Sequence, residues 1–147
     1  MNKLSARELF EDIKERMALR WVAGQSGADR ALQAGGAGQR RPSEIGYLNI
    51  IYPNKLQIVG GEELNYLDGL DSRQRWETVQ KIFGQQPVAL IITKDQAVPT
   101  DLREAAEETN TPLWVSARRG HDLLTYLQYK LARTLAPQIT LHGVFME

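Results

Sequence analysis

The chain has 147 residues, carries 18 Lys plus Arg against 18 Asp plus Glu, and lacks cysteine. Charge balance removes any overall field toward nucleic acid or an anionic membrane, and the missing thiols exclude disulfides, cysteine nucleophiles and thiolate metal sites. Two separate histidines make a poor zinc set, the length suits one α/β domain, and no stretch approaches the roughly 20 apolar residues needed to cross a bilayer, so a cytoplasmic protein with no nucleic-acid or membrane partner is expected.

Ser5 followed by Glu8 is a capping-box pattern, and Leu9, Phe10, Ile13 and Met17 recur at helical spacing, which predicts a first helix from about Ala6 to Met17. "LRWVAG" reads as a short strand. Residues 24–40, rich in glycine, alanine and polar groups, show no sustained amphipathic pattern and are expected to form a long flexible loop. After Arg41-Pro42, "GYLNIIYPNKLQIVGGEELNYL" reads as strand, turn at Pro53-Asn54, strand and helix. Asp71 and Gln74 cap a helix whose apolar side, Trp76, Val79, Ile82 and Phe83, is expected in the core, with Gly84 as its C-cap.

"PVALIIT", Pro87 to Thr93, is a continuous apolar run with a β-branched centre, the pattern of a central strand covered on both faces. A helix capped by Thr100 and ending near Asn110 follows, then the strand "LWVS". A last helix, about Asp122 to Leu135, carries Leu123, Leu127 and Leu131 at i, i+4 and i+8. "TLHGVFME" at the end alternates like a strand. The tally is a βα-rich sheet domain with helices on its faces.

Chemistry-bearing motifs are scarce. There is no nucleophile elbow, phosphate loop or HExxH, and the acidic runs "RELFEDIKER" and "REAAEE" are accounted for by helical pairing with arginine and lysine. Gly60-Gly61, between a strand and a helix, could offer backbone amides to a phosphate, but lacks the GxGxxG and GxxxxGK[ST] spacings. A tight strand-to-helix connection explains it as well. "SARRGH" sets Arg118 and Arg119 beside a helix start, where an anion could sit; a charged loop is the plainer reading. His121 reads as an exposed first-turn residue, and His142, between Leu141 and Gly143, as a structural strand histidine when taken alone.

Three stretches in order, "GYLNIIYPNKLQIVGGEELNYL" after Arg41-Pro42, "PVALIITKDQAVPTDLREAAEETNTPLWVS" and "LAPQITLHGVFME", resemble the N-terminal domain of HPr kinase/phosphorylase. That family phosphorylates a serine of the phosphocarrier protein HPr and removes the phosphate by phosphorolysis. The resemblance implies an α/β/α three-layer sandwich with a mostly parallel sheet, similar to the N-terminal substrate-binding domain of UDP-muramoyl peptide ligases. It implies that residues 1–136 are this domain, and that 137–147 are a linker and first strand toward a C-terminal kinase domain holding the P-loop. By the same resemblance the chain alone is expected to be inactive, with no cofactor or metal of its own. ATP and Mg2+ would act in the full-length parent, whose partner is HPr and which forms hexamers. His142 occupies the position of the family's HGV histidine, an active-site residue, and is thereby implicated in catalysis. The competing expectation is a self-standing module in which Gly60-Gly61, Arg118-Arg119 and the ends of the parallel strands bind a nucleotide-like or anionic small ligand.

Overall fold

A computed structural model describes residues 4–32, 39–42, 49–52 and 56–134. The chain opens with β1 (Leu4–Ser5) and α1 (Ala6–Ile13), then β2 (Leu19–Ala23), a 3-10 turn (Gln25–Gly27), β3 (Ala31–Leu32), β4 (Gln39–Pro42), β5 (Asn49–Tyr52) and β6 (Leu56–Val59). It continues through α2 (Gly61–Asp68), α3 (Ser72–Gly84), β7 (Leu90–Ile92), α4 (Thr100–Thr109), β8 (Leu113–Ser116) and α5 (Gly120–Thr134).

Both expected capping boxes are present. At α1 the Glu8 N–H donates to Ser5 Oγ at 3.1 Å and the Ser5 N–H to Glu8 Oε1 at 2.9 Å. At α3 the Gln74 N–H donates to Asp71 Oδ1 at 2.8 Å and the Asp71 N–H to Gln74 Oε1 at 3.4 Å. Each pair satisfies amides that the first helical turn leaves without acceptors. Helix α1 stops at Ile13, short of Met17, because the chain turns through Ala18 at φ +49° to enter β2. At α4, Pro99 rather than Thr100 is the N-cap, without a side-chain bond, and Asp101 Oδ1 accepts the Leu102 N–H at 3.0 Å. Gly84 is the last residue of α3, and the left-handed residue after that helix is Gln86, at φ +56°.

The main sheet has six strands in the order β2-β8-β7-β6-β5-β4. Strands β6, β7 and β8 are parallel, whereas β2 runs against β8, β5 against β6 and β4 against β5. The sheet is therefore mixed, which corrects the expectation of a mostly parallel one. The reason is connection length: β5 ends at Tyr52 and β6 starts at Leu56, a hairpin-length link, whereas a parallel return needs a crossover of about a dozen residues or more. Leu90–Ile92 form the third strand of the six and are wholly buried, as their apolar run predicts.

The pleat divides the core in two. Leu56, Ile58, Ile91 and Trp114 join one cluster with Ala6, Leu9, Phe10 and Ile13 of α1 and Leu123, Leu127 and Leu131 of α5. Val59, Leu90, Ile92, Leu113 and Val115 join the other with Leu67 of α2, Val79, Ile82 and Phe83 of α3, and Leu102 and Ala106 of α4. This is the period-2 alternation of strands meeting the 3.6-residue period of helices. Phe10, Trp21 and Trp114 form a ring cluster with centroids 5.0 to 5.4 Å apart, and Trp114 is fully buried.

Trp76 is not core: it is 64% exposed. Val79, Ile82 and Phe83 define the buried face of α3, and Trp76 lies on its flank above a groove toward α4. Residues 24–32, expected as loop, are tied to the rest of the molecule. The Gly24 N–H donates to Glu107 Oε1 at 2.8 Å, Ser26 Oγ lies 2.6 Å from Asn110 Oδ1, and Arg30 donates to the carbonyls of Pro87 and Thr109. Burial pushes the Arg30 guanidinium below its usual value.

Candidate functional site

Because β6, β7 and β8 are parallel, their carboxyl ends share one side of the sheet, where ligands bind in open α/β sheets. A cavity of about 330 Å3 opens there, between the start of α2 and the start of α5. Ile58 and Leu124 supply apolar lining, Gly60 and Gly61 come from the β6–α2 turn, and Thr93 from the end of β7. Glu62 and Glu63 contribute acidic groups from α2, whereas Lys94 and His121 contribute basic ones from the loop after β7 and from α5.

The glycines allow a close approach. From where a Cβ on Gly60 would lie, Thr93 Oγ1 is 3.4 Å away and Glu63 Oε1 3.5 Å; from the same point on Gly120, Thr93 Cγ2 is 3.7 Å away. One threonine side chain thus spans the gap between the two helix starts. The loop after β7 takes two successive left-handed residues, Lys94 at φ +58° and Asp95 at φ +53°. It is pinned by the Lys94 N–H to the Arg118 carbonyl and the Asp95 N–H to the Ser116 carbonyl, both 2.9 Å.

Of the residues singled out from sequence, Gly60, Gly61 and His121 meet at this cavity. Arg118 and Arg119 do not line it. Arg118 Nε donates to the Arg16 carbonyl at 3.1 Å, and Arg119 Nε reaches Asp122 Oδ2 at 3.3 Å. His142 lies outside the described residues. Glu63, Thr93 and Lys94 were not anticipated. Only Glu63 carries a local sign, since it stands three residues after the N-cap, as Glu8 and Gln74 do on their helices.

Two other hollows flank the helices. One, about 410 Å3, lies between α3 and α4 beside Trp76 and the Arg75–Asp101 ion pair. The other, between α1 and α5, sets Arg16 5.5 Å from the Tyr126 ring centroid and Arg133 5.4 Å from that of Tyr129. There the Asp12 carboxylate, 2.8 Å from Lys130 Nζ, raises the lysine above its usual value.

The start of α2 does not fit a phosphate site. Glu62 and Glu63 stand in the first turn of α2, where a phosphate would need the helix's positive end, and no cluster of three or more metal-ligating side chains occurs among the described residues.

Comparison with known proteins turns on residues 4–131, which match the family model described as HPr Serine kinase N terminus. The chain belongs to this family. HPr kinase/phosphorylase of Xanthomonas campestris pv. campestris (strain B100) is 63% identical over 144 residues, which are 98% of this chain and 46% of the relative. The proteins of the same name from Xanthomonas euvesicatoria pv. vesicatoria (strain 85-10) and Xanthomonas oryzae pv. oryzae (strain PXO99A) are each 62% identical with the same coverage. The chain spans about half the length of these HPr kinase/phosphorylase relatives.

Proposed function

We propose that this chain serves as the non-catalytic N-terminal domain of an HPr kinase/phosphorylase. The observation that carries the reading is the family match over residues 4–131, together with 63% identity across 98% of the chain. On this reading phosphoryl transfer to and from HPr takes place in the half of the parent that this chain does not match. ATP and Mg2+ act there. Phosphoryl transfer depends on positioned phosphates and neutralised charge, and the acidic first turn of α2 supplies neither.

The finer architecture belongs to the same proposal. A three-layer α/β/α arrangement, like that of the N-terminal domain of UDP-muramoyl peptide ligases, is supported by the two clusters: α1 and α5 side chains fall in one and those of α2, α3 and α4 in the other. Residues 1–136 would form this domain and 137–147 the link to the catalytic half. His142, on that link, would reach the parent's active site and stabilise charge on the moving phosphoryl group. A hexameric, cytoplasmic parent completes the reading; no helix among the described residues is long and apolar enough to cross a membrane.

The experiment pairs the 147-residue chain with the intact parent. With ATP and Mg2+, the parent should phosphorylate HPr and the chain alone should not. In the parent, His142→Ala should lower kinase or phosphorylase turnover while leaving the melting temperature in place. Phosphorylation by the chain alone would overturn the non-catalytic assignment, and unchanged rates in both directions would overturn the role of His142.

A further inference from the structure

The Glu63 carboxylate is the most demanding group in the cavity at the strand ends. The residue is only 8% exposed, it lines the cavity, and its carboxylate makes no hydrogen bond or ion pair among the described residues. The other residues at the equivalent third helical position behave differently. Glu8 and Gln74 reach back to the N–H of their own N-caps, at 2.9 and 3.4 Å. Glu63 instead lies against Gly60, with both carboxylate oxygens 3.5 to 3.6 Å from where a Cβ would stand. A carboxylate that lines a cavity without a protein donor is free to take a cation or a strong donor from a ligand.

The second feature is the start of α5. The Leu123 N–H is the first to bond back, to the Arg119 carbonyl at 3.0 Å, so the amides of Gly120 and His121 precede the helical ladder and point from the helix's positive end. Lys94 and His121 line the cavity beside them. Both helix starts carry acid in the first turn, Glu62 and Glu63 on α2 and Asp122 on α5, but Asp122 is held by Arg119 Nε at 3.3 Å, which leaves Lys94 and His121 as the cavity-lining neighbours of the α5 entrance. Such a cavity disfavours a simple anion, which would meet Glu63, and disfavours a simple cation, which would meet Lys94. It fits a molecule carrying both charges.

We propose that this cavity binds a small zwitterion of the α-amino-acid class, its ammonium on Glu63 and its carboxylate at the N-terminus of α5 beside Lys94. Its volume, about 330 Å3, lies at the small end of ligand pockets, which run from about 300 to 1,000 Å3. Thr93 Oγ1, 3.4 Å from the Gly60 Cβ position, is placed to accept a second ammonium proton, and Ile58 and Leu124 take the apolar part of the side chain.

The test is thermal unfolding of the 147-residue chain with each proteinogenic L-amino acid in turn. For the best responder, the corresponding amine lacking the carboxylate and the corresponding acid lacking the ammonium are run beside it. At a concentration about 100-fold above Kd, at least one amino acid should raise Tm by on the order of 5 °C, while the amine and the acid at the same concentration raise it far less. Glu63→Gln, of nearly the same size, should keep the fold, with a Tm without ligand close to that of the unmodified chain, yet weaken binding by about 10-fold or more. Lys94→Ala should weaken it by a smaller factor. Three results would overturn the proposal: no amino acid shifts Tm, the acid alone shifts it as much as the amino acid, or folded Glu63→Gln binds as tightly as the unmodified chain.

Discussion

Arg75 on α3 grips Asp101 on α4 at two points, Nε to Oδ2 at 2.6 Å and Nη2 to Oδ1 at 3.0 Å, while its Nη1 reaches Asp68 Oδ1 at 2.9 Å. This fork joins the end of α2, α3 and the start of α4 on one side of the sheet. The hydrogen bond from Arg75 is the main reason the Asp101 carboxyl lies below its ordinary value of 3.8, and bonding to Asp101 raises the guanidinium in turn. A carboxyl depressed in the folded state stabilises the fold above its unfolded value, and that stabilisation is lost as pH falls through the folded one. Stability should therefore decline below about pH 4 with a contribution from this pair. Because Asp101 is more than a third exposed, solvent screening limits the pair to about 1 kcal/mol. A double-mutant cycle of Arg75→Ala and Asp101→Asn, followed by urea unfolding at pH 7 and pH 3, should show coupling at the higher pH and little at the lower.

The capping boxes give a second expectation. Ser5→Ala and Asp71→Ala should each lower stability by about 1 kcal/mol, and their effects should add, because the two helices pack in different clusters. Chemical denaturation of the two single variants and the double variant checks both points.

Gly24 should tolerate no side chain. It sits at φ +70°, and a Cβ there would lie 1.8 Å from the Thr111 carbonyl oxygen. Gly24→Ala must move the end of β2 away from the segment joining α4 to β8, breaking the 2.8 Å bond from the Gly24 N–H to Glu107. A loss of about 3 kcal/mol or more is expected, measurable as a fall in Tm, whereas Gln25→Ala next to it, at an exposed position, should change little.

Gln57 is fully buried on β6, and neither end of its amide has a hydrogen-bond partner among the described residues. Replacing an unsatisfied buried amide with a hydrocarbon of similar size removes its desolvation cost. Gln57→Leu should accordingly raise stability by about 1 kcal/mol. A fall in Tm would show that the amide has a partner in the folded protein.

Much of the fold was legible where neighbours in sequence decide the outcome. The caps at Ser5 and Asp71, the buried run of β7 and the leucine stripe of α5 depend on relations within three or four residues, and they stand as read. The candidate site was legible only at Gly60 and Gly61; His121, read as an exposed first-turn residue, is exposed and also lines the cavity. Arg118 and Arg119 look like an anion clamp in sequence, but their guanidinium groups are drawn to the Arg16 carbonyl and to Asp122. Arg16 lies about a hundred residues away along the chain.

The amino-acid sequence by itself determined the local elements and the family, because caps, periodicity and ordered stretches of residues are properties of the chain read in one dimension. Only the tertiary structure decided that the sheet is mixed, that Trp76 faces solvent, and that Glu63 is shut in beside Gly60 while Glu8, at the same helical position, caps its own helix. Burial and pairing are set by which distant strands and helices come together, and in this chain the parallel ends of β6, β7 and β8 are what bring Glu63, Thr93, Lys94 and His121 to one cavity.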